Sequence, residues 1–346
     1  MSLVSDAVVT PAEQTCAVWH GGAELRLERM AVPPLGPRDV LVEVALCGVC
    51  GTDVHILDGE FPMYKPPRVL GHEFSGTVRA LGSAVTAVAV GDPVAVEPSV
   101  PCGACFFCYE GLPYMCARRT SFHGGFGEYT VAPEAALFPL PAGVSLAAAA
   151  LSEPLSCCLH TINRAAIKPA DRVAIVGAGI IGLLLLQLAR RAGASRVMVS
   201  DPAAHRRETA KRLGADVVVD PTSEDIVAAG RDISGGYGVD VALEAVGSEQ
   251  TVRDAIALPR RGGTVVVMGV ASPKAEVAIK PYELFDRELT IRGSFIRAYE
   301  FRRTVELLPF LELEPLISDV FPLSQAPAAL ENVRARRGIK TAIRPD

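Results

Sequence analysis

The chain has 346 residues, a length that suits about two domains at roughly 150 residues each. Apolar residues make up 49% and charged residues 21%, which is the composition of a folded globular protein and excludes wholesale disorder. The formal net charge of −5 excludes the basic surface on which nucleic-acid binding normally depends, so small diffusible ligands are the expected partners.

The N-terminal sequence and the cysteines bear on the cellular compartment. The first 19 residues contain neither the basic nor the apolar segment of a secretory signal. The longest apolar run, residues 173–189, is shorter than the ~20 residues of a membrane-spanning helix, and three glycines interrupt it. Four of the nine cysteines lie within fifteen positions, which without an export signal indicates metal binding or reactivity rather than disulfides. We therefore expect a cytoplasmic protein without a membrane span.

The first ~150 residues favour β structure, because they are rich in glycine and proline and contain short β-branched runs, for example at residues 40–45, 76–81 and 92–97. Such runs are typical of short strands joined by turns.

Three potential metal ligands lie in this part: Cys50 in the segment CGTDVH, and His72 with Glu73 in the segment GHE. A thiolate, an imidazole and a carboxylate form a three-ligand site with room for water or a substrate oxygen, which is the open form of zinc site used in catalysis. Each residue alone is more typical of packing or of a solvated turn. Their joint occurrence in a chain with a dinucleotide-binding motif favours the metal site.

A second cluster follows, in which four cysteines have the spacing C-x₂-C-x₂-C-x₇-C: Cys102, Cys105, Cys108 and Cys116. Four thiolates on one short loop predict a tetrahedral S₄ metal site, and a closed site of this kind is structural. An iron–sulfur cluster and disulfides are the alternatives. Ferredoxin-like runs usually place the last cysteine three residues on and follow it with proline, whereas Cys116 is followed by Ala117.

The middle of the chain changes character. Strands are predicted at residues 172–176, 196–200, 217–219, 239–244, 264–268 and 289–292, and helices at 180–192 and 203–213. This alternation indicates βαβ units and a parallel sheet. After about residue 295 one helix is predicted, at 300–311.

The segment GAGIIG, residues 177–182, fits the dinucleotide pattern G-x-G-x-x-G. It follows a strand, opens a long helix, and is followed by Asp201 nineteen positions after Gly182, which is the context the pattern requires. The helix N-terminus offers free N–H groups to a phosphate. A carboxylate at Asp201 accepts ribose hydroxyls and repels a 2′-phosphate, which favours NAD, although Arg206 and Arg207 keep NADP open.

Together these motifs resemble the zinc-dependent medium-chain dehydrogenase/reductase family, the alcohol dehydrogenase superfamily. The matching segments run in the family's order from near residue 40 to near residue 295: CGVCGTDVH (47–55), GHE (71–73), the four cysteines, GGFGEY (124–129), EPL (153–155), GAGIIG and Asp201. GHE and EPL resemble the polyol (sorbitol-like) and threonine dehydrogenase branches most.

The resemblance implies an α/β fold with two domains. A mostly β, GroES-like catalytic domain would comprise residues 1–155 and 296–346, with a structural zinc lobe near 98–118. A Rossmann domain with a doubly wound parallel sheet would occupy 156–295, and the active site would lie in the cleft between the two.

The resemblance also implies roles at the catalytic zinc. Cys50 and His72 would be ligands, Glu73 would be the third, and Glu153 would hold the zinc-bound water or exchange with Glu73. Which glutamate binds the resting metal stays open. Asp53 would orient His72, as metal-bound imidazoles usually require.

Proton transfer and cofactor binding follow from the same resemblance. Thr52 and His55 would pass the substrate proton, through the cofactor ribose, to solvent, a general acid/base role that suits an imidazole. The implied cofactor-binding residues are Gly177, Gly179, Ile180, Ile181, Gly182, Asp201, Arg206, Met268, Gly269, Val270, Ser294 and Phe295.

The implied activity is oxidation of a secondary alcohol to a ketone with hydride transfer to NAD, in a homodimer or homotetramer with two zinc ions per chain. The substrate would be a polyol, cyclitol, sugar alcohol or an amino alcohol such as threonine. A zinc-free quinone or enone reductase of the superfamily is one alternative, although such enzymes lack both cysteine-containing sites. A zinc- and nucleotide-binding regulator without turnover is another.

Overall fold

The structure is a computed structural model that describes residues 11–297 and 300–346. The first part of the segment considered for a secretory signal lies outside the described residues. The chain forms two compact units, one of Met1–Glu153 with Phe301–Asp346 and the other of Pro154–Glu300. Within the described residues no helix has both the length and the apolar character needed to cross a membrane.

The strands are β1 (Glu13–Gly21), β2 (Glu24–Ala31), β3 (Asp39–Gly48), β4 (Arg68–Val69), β5 (Glu73–Leu81), β6 (Pro93–Val96), β7 (Ser99–Val100), β8 (Thr120–Ser121), β9 (Tyr129–Pro133), β10 (Leu137–Pro139), β11 (Arg172–Val176), β12 (Arg196–Ser200), β13 (Val217–Val219), β14 (Val239–Glu244), β15 (Pro259–Val267), β16 (Thr290–Gly293), β17 (Ile317–Pro322) and β18 (Lys340–Arg344). The helices are α1 (Gly51–Leu57), α2 (Phe106–Tyr109), α3 (Leu146–Ala149), α4 (Ser152–Ala165), α5 (Ile180–Arg191), α6 (Ala204–Arg212), α7 (Ile226–Asp232), α8 (Glu249–Ala257), α9 (Pro281–Arg287), α10 (Phe301–Leu307) and α11 (Ala326–Arg334).

The first unit is built on a mainly antiparallel sheet with the order β10-β6-β5-β3-β18-β17, and β9 also pairs with β3. Side chains of β3, β5 and β6, among them Val42, Phe74 and Val94, form one buried core. Burial of each such side chain contributes roughly 1.5–3 kcal/mol. In this sheet β3 pairs with β5, so that Gly48 faces Glu73, and it pairs on its other side with β18, so that Gly48 also faces Ala342.

The second unit is a six-stranded parallel sheet with the order β13-β12-β11-β14-β15-β16. Counted from β11, this is the order 3-2-1-4-5-6 of dinucleotide-binding sheets, so the doubly wound fold predicted from the sequence is confirmed. Every residue of β14 is buried, as expected for a strand covered on both faces.

The helix predicted near the C-terminus is longer than the one in the structure. The helix expected at 300–311 ends at Leu307 and is followed by a 3₁₀ turn over Leu308–Phe310. Pro309 explains the early end, because proline has no N–H to donate and its ring clashes with the preceding turn.

Candidate active site and metal centres

The three ligands predicted for an open metal site come together in the first unit. Cys50 is the N-cap residue of α1, directly after β3, and His72 and Glu73 lead into β5. Because β3 and β5 are neighbouring strands, the ligand atoms of all three residues lie within 4.8 Å of one another. One sulfur, one nitrogen and one oxygen at this spacing suit zinc with an open coordination position.

Asp53 holds the segments that carry these three ligands in place through hydrogen bonds. Its Oδ2 accepts a hydrogen bond from the backbone N–H of Cys50 at 2.9 Å, and its Oδ1 accepts one from Gly71 at 3.4 Å. Nδ1 of His72 lies 3.5 Å from Oδ1 of Asp53 and is buried without another partner in the described chain. Asp53 therefore ties the two ligand-bearing segments together and leaves the other nitrogen of His72 for a metal.

The contact between Asp53 and His72 shifts the pKa of both side chains. Burial acts to raise the pKa of Asp53, but the charge and hydrogen bonding of His72 outweigh it and hold the pKa below its usual value. Burial likewise acts to lower the pKa of His72, and Asp53 outweighs it, so that the net shift is upward. The carboxylate thus stays ionised, which is the state that stabilises a metal-bound imidazole.

Lys340 is a residue of this site that the sequence analysis missed. It begins β18, is 3% exposed, and its Nζ contacts Oε2 of Glu73, which is 2% exposed. Burial acts to lower the pKa of Lys340, but the charge of Glu73 outweighs it and the pKa is raised, so this side chain is a cation. A lysine in the mostly apolar, strand-forming segment IKTAI (339–343) is the signal that points to it, because lysine is almost never fully buried unless paired.

His123 is a second residue that the sequence analysis missed. Its ring lies 5.4 Å from that of His72 and 5.3 Å, edge-on, from that of Tyr64. Burial lowers the pKa of His123 to about 4, with the neighbouring charge of His72 adding to the effect. A neutral imidazole therefore lines the site beside a ligand, where Gly124 and Gly125 fix its loop by donating to the carbonyl of Gly71, both at 3.1 Å.

The predicted proton-transfer residues lie on α1. Thr52 is in its first turn and partly buried, and His55 is in its last turn with 34% of its side chain exposed. Nδ1 of His55 is 2.5 Å from Oε2 of Glu60. Glu153 is buried in the first turn of α4, outside the group of ligand atoms formed by Cys50, His72 and Glu73.

The four-cysteine lobe has the geometry of a tetrahedral sulfur site. All four Sγ atoms lie within 4.8 Å of one another, and Sγ of Cys105 is 3.6 Å from that of Cys108 and 3.7 Å from that of Cys116. Zinc–sulfur bonds of about 2.3 Å at tetrahedral angles place sulfurs ~3.8 Å apart, which these distances match. They are far longer than the ~2.05 Å of a disulfide bond, so these atoms are not arranged as disulfides.

The pKa values of Cys105 and Cys108 shift in opposite directions. The N–H of Cys108 is the largest contribution that lowers the pKa of Cys105, to about 6, whereas burial and the neighbouring thiols raise that of Cys108 to about 11. A first thiolate forms readily and makes the next harder to form. A divalent cation removes this penalty, because it neutralises the thiolates together.

The glycine motif forms the expected turn between β11 and α5. Gly177 has φ of +103°, and a Cβ at Gly182 would lie 1.8 Å from the carbonyl oxygen of Gly177, so both positions require glycine. A Cβ at Gly179 would meet only Nη1 of Arg206, at 3.9 Å. The backbone at Gly179 is therefore open, which fits a pyrophosphate approaching the N-terminus of α5.

Asp201 follows β12 and is 5% exposed. Its Oδ2 accepts from the N–H of Ala178 and its Oδ1 from that of Ala203, both at 2.8 Å. Each carboxylate oxygen keeps a second lone pair for a ligand hydroxyl. Nη1 of Arg206 lies 3.9 Å from Asp201, and Arg207 is paired with Asp220 at 3.1 Å.

The remaining predicted cofactor residues follow β15 and β16. Parallel strands end at the same edge, so these residues share the carboxyl edge of the sheet with the glycine turn and Asp201. Met268 and Gly269 donate to the carbonyl of Glu244 at 3.0 and 3.1 Å, and Ser294 accepts from the hydroxyl of Thr161 at 2.9 Å. Of the other members of the set, Ile180 and Ile181 are partly buried, and Val270 and Phe295 are exposed.

Comparison with family models gives two matches. Residues 36–142 match the alcohol dehydrogenase GroES-like domain, and residues 181–311 match the zinc-binding dehydrogenase domain. Together these ranges include His72, Glu73, the four cysteines, Asp201 and most of the predicted cofactor residues.

Curated relatives match along nearly the whole chain. D-arabinitol dehydrogenase 1 from Uromyces fabae is 34% identical over 345 residues, covering 97% of this chain and 98% of the relative. Sorbitol dehydrogenase from Bacillus subtilis (strain 168) is 33% identical and covers 93% of this chain and 94% of the relative. D-xylulose reductase A from Aspergillus niger is 35% identical, with 96% and 97% covered.

Solved structures agree in fold. A zinc-binding dehydrogenase from Sinorhizobium meliloti 1021, bound to NADP, has a TM-score of 0.93 at 37% identity and covers 97% of this chain and 100% of that one. 2R,3R-butanediol dehydrogenase from Bacillus subtilis has a TM-score of 0.87 at 28% identity, with 96% and 100% covered.

Proposed function

Since the chain belongs to the zinc-dependent alcohol dehydrogenase family, in its polyol dehydrogenase branch, we propose that it oxidises a secondary hydroxyl of a linear polyol to a ketone and transfers the hydride to NAD. The observation that carries the proposal is the convergence of Cys50, His72 and Glu73 in a chain that also has a complete dinucleotide-binding turn. Relatives named for D-arabinitol, D-xylulose and sorbitol support a substrate with several neighbouring hydroxyls.

We propose two zinc ions per chain. The catalytic ion would be held by Cys50, His72 and Glu73, with Glu153 as the exchange partner of Glu73. The second would be held by the four cysteines and would be structural, since a closed S₄ site leaves no position for substrate. Zinc at the first site supplies a Lewis acid that lowers the pKa of a substrate hydroxyl.

Other residues of the chain would orient the metal ligand His72 and transfer the substrate proton. Asp53 holds His72 in one orientation and stabilises positive charge on its ring. The hydroxyl of Thr52 accepts the proton that the substrate hydroxyl loses and at the same time gives up its own proton toward His55. His55, at the other end of the same short helix, releases a proton to solvent from Nε2, because its Nδ1 faces Glu60.

Replacement of Thr52 tests the proton-transfer step. Thr52→Val keeps the shape of the side chain and removes its hydroxyl, so kcat should fall by about two orders of magnitude while zinc content stays unchanged. Steady-state kinetics with elemental analysis measure both quantities. Glu60→Gln, which alters only the outer partner of His55, is the matched control and should change kcat far less. A Thr52→Val enzyme with wild-type kcat would remove Thr52 from the mechanism.

Cofactor preference rests on Asp201. A carboxylate at the end of β12 accepts the ribose hydroxyls of NAD and repels the 2′-phosphate of NADP. Asp201→Ser should therefore shift the ratio of kcat/KM for NAD over NADP toward NADP by on the order of tenfold to a hundredfold, with Arg206 3.9 Å away to meet the phosphate.

Asp220→Asn is the control for this experiment, because it removes a nearby carboxylate that pairs with Arg207 but follows a different strand. Its cofactor ratio should stay that of the wild type. An unchanged ratio in Asp201→Ser, or a wild type that already prefers NADP, would contradict the assignment of NAD.

We further propose that the two units are the working domains, the first for metal chemistry and the second for the cofactor, and that the chain forms a homodimer or homotetramer. The exposed edge strand β16 is the candidate for pairing between copies, since an unpaired edge offers free N–H and C=O groups. Analytical ultracentrifugation of the purified protein tests the oligomeric state, and a monomer would contradict it.

One experiment separates the proposed activity from its alternatives. Purified protein is analysed for zinc and then tested with NAD and NADP on a panel of polyols, cyclitols and threonine, with the nicotinamide absorbance as readout. Polyol-dependent reduction of NAD with about two zinc ions per chain is the expected result. Turnover only with quinones or enones and no zinc would identify a reductase, and zinc with bound nucleotide but no turnover a regulator.

A further inference from the structure

A buried ion pair lies directly behind the proposed catalytic zinc ligands. The Nζ of Lys340 contacts Oε2 of Glu73, and the two side chains are 3% and 2% exposed. Nζ also donates to the carbonyl oxygen of Val49 at 2.9 Å. Val49 immediately precedes the ligand Cys50, so Lys340 connects both segments that carry ligands, although it is 291 positions away from Val49.

Gly48 makes space for this pair. Gly48 faces Glu73 across the β3–β5 ladder. A Cβ at Gly48 would lie 2.2 Å from Oε2 of Glu73 and 2.6 Å from Cε of Lys340. Glycine at position 48 therefore leaves the space in which the two side chains meet.

The contact between Lys340 and Glu73 also affects the charge balance of the proposed metal site. With a metal bound, a thiolate at Cys50 and the carboxylates of Asp53 and Glu73 would place three negative charges around it. A divalent metal neutralises two of them. Lys340 supplies the third positive charge, and buried charges are costly unless they are paired.

We infer that Lys340 is a positioning residue that shares the Glu73 carboxylate with the catalytic metal and so makes Glu73 an exchangeable ligand. A carboxylate held by a lysine is a weaker metal ligand than a free one, because the ammonium group draws off its charge and repels the cation. Movement of Glu73 toward Lys340 opens a coordination position, and movement back closes it. The inference rests on the proposed metal site and deepens it.

The test is the affinity of the centre for zinc in the full-length protein. Lys340→Met removes the competing cation and leaves the buried Glu73 carboxylate without its cationic partner. Zinc should then bind at least about tenfold more tightly and leave more slowly in competition with the chelator dipicolinate. With Co²⁺ in the centre, the visible spectrum should shift toward higher coordination number and respond less to added polyol. His72→Ala protein supplies the baseline for metal held in the four-cysteine lobe.

The double variant shows whether the effect passes through Glu73. In a Glu73→Gln background, Lys340→Met should no longer raise the affinity for zinc. Thr341→Val is the structural control, because it breaks the 3.0 Å hydrogen bond from Asn332 at the next position of β18 without touching Glu73, and it should leave zinc affinity unchanged. If Lys340→Met does not fold, Lys340→Gln removes the charge and keeps a donor for the carbonyl of Val49.

Zinc affinity that is unchanged or weaker in the folded Lys340 variant, or that rises equally in the Glu73→Gln background, overturns the inference. Either result leaves the proposed function standing if the wild type binds zinc at this centre and oxidises polyols. The proposed function fails on a different result: a wild-type protein whose Cys50–His72–Glu73 centre binds no zinc.

Discussion

His72→Ala is expected to remove one of two zinc ions per chain and to lower turnover by about three orders of magnitude or more, with the fold intact. The imidazole is the only nitrogen donor in the group with Cys50 and Glu73. Asp53 positions this imidazole, because its Oδ1 lies 3.5 Å from Nδ1 of His72. Truncation of His72 therefore removes a metal ligand and also the partner of the Asp53 carboxylate. A sulfur and an oxygen alone hold zinc poorly against water.

The measurement combines elemental analysis, kcat on the best polyol and circular dichroism. His20→Ala is the matched control, since His20 is partly buried beside a carboxylate, 2.6 Å from Glu28, but lies on β1 away from the ligand group. It should keep two zinc ions and wild-type turnover. Wild-type activity in His72→Ala would refute the assignment of the catalytic centre.

Cys105→Ser should act on stability before activity. The lobe has little apolar core of its own: α2 buries none of its residues, and Phe106 and Tyr109 are 69% and 78% exposed. Apolar burial therefore cannot hold this segment, and the S₄ site must do so. Loss of the metal should lower the midpoint of thermal unfolding by about 10 °C and open residues 102–116 to proteolysis.

Calorimetry, zinc content and limited proteolysis measure this effect. Cys157→Ser, which removes a thiol of α4 that belongs to neither metal group, should keep both zinc ions and the wild-type midpoint. If Cys105→Ser retains two zinc ions and unfolds with the wild type, the lobe does not hold a structural metal. A variant that loses turnover at unchanged stability would instead give the lobe a role in catalysis.

Features whose physical cause is local could be predicted from the sequence. Four cysteines within fifteen positions reach one ion whatever the rest of the chain does, since so short a loop cannot separate them widely. The glycine turn is also local. Gly177 is required by its positive φ angle, and Gly182 by its close approach to the carbonyl oxygen of Gly177, only five residues away. The strands of the second unit are equally readable, as buried parallel strands are continuous apolar runs.

The meeting of distant residues at the proposed catalytic site could not be predicted in this way, because it depends on how the strands of the first unit pair. Lys340 reaches Glu73 because β18 returns to pair with β3, and no local pattern specifies which strand a C-terminal segment will join. The same register places Glu73, rather than Glu153, in one group with Cys50 and His72. The sequence gives the chemistry of each side chain directly. Which strands become neighbours depends on the packing of the whole sheet, and the strand neighbours set the charge around the proposed metal site.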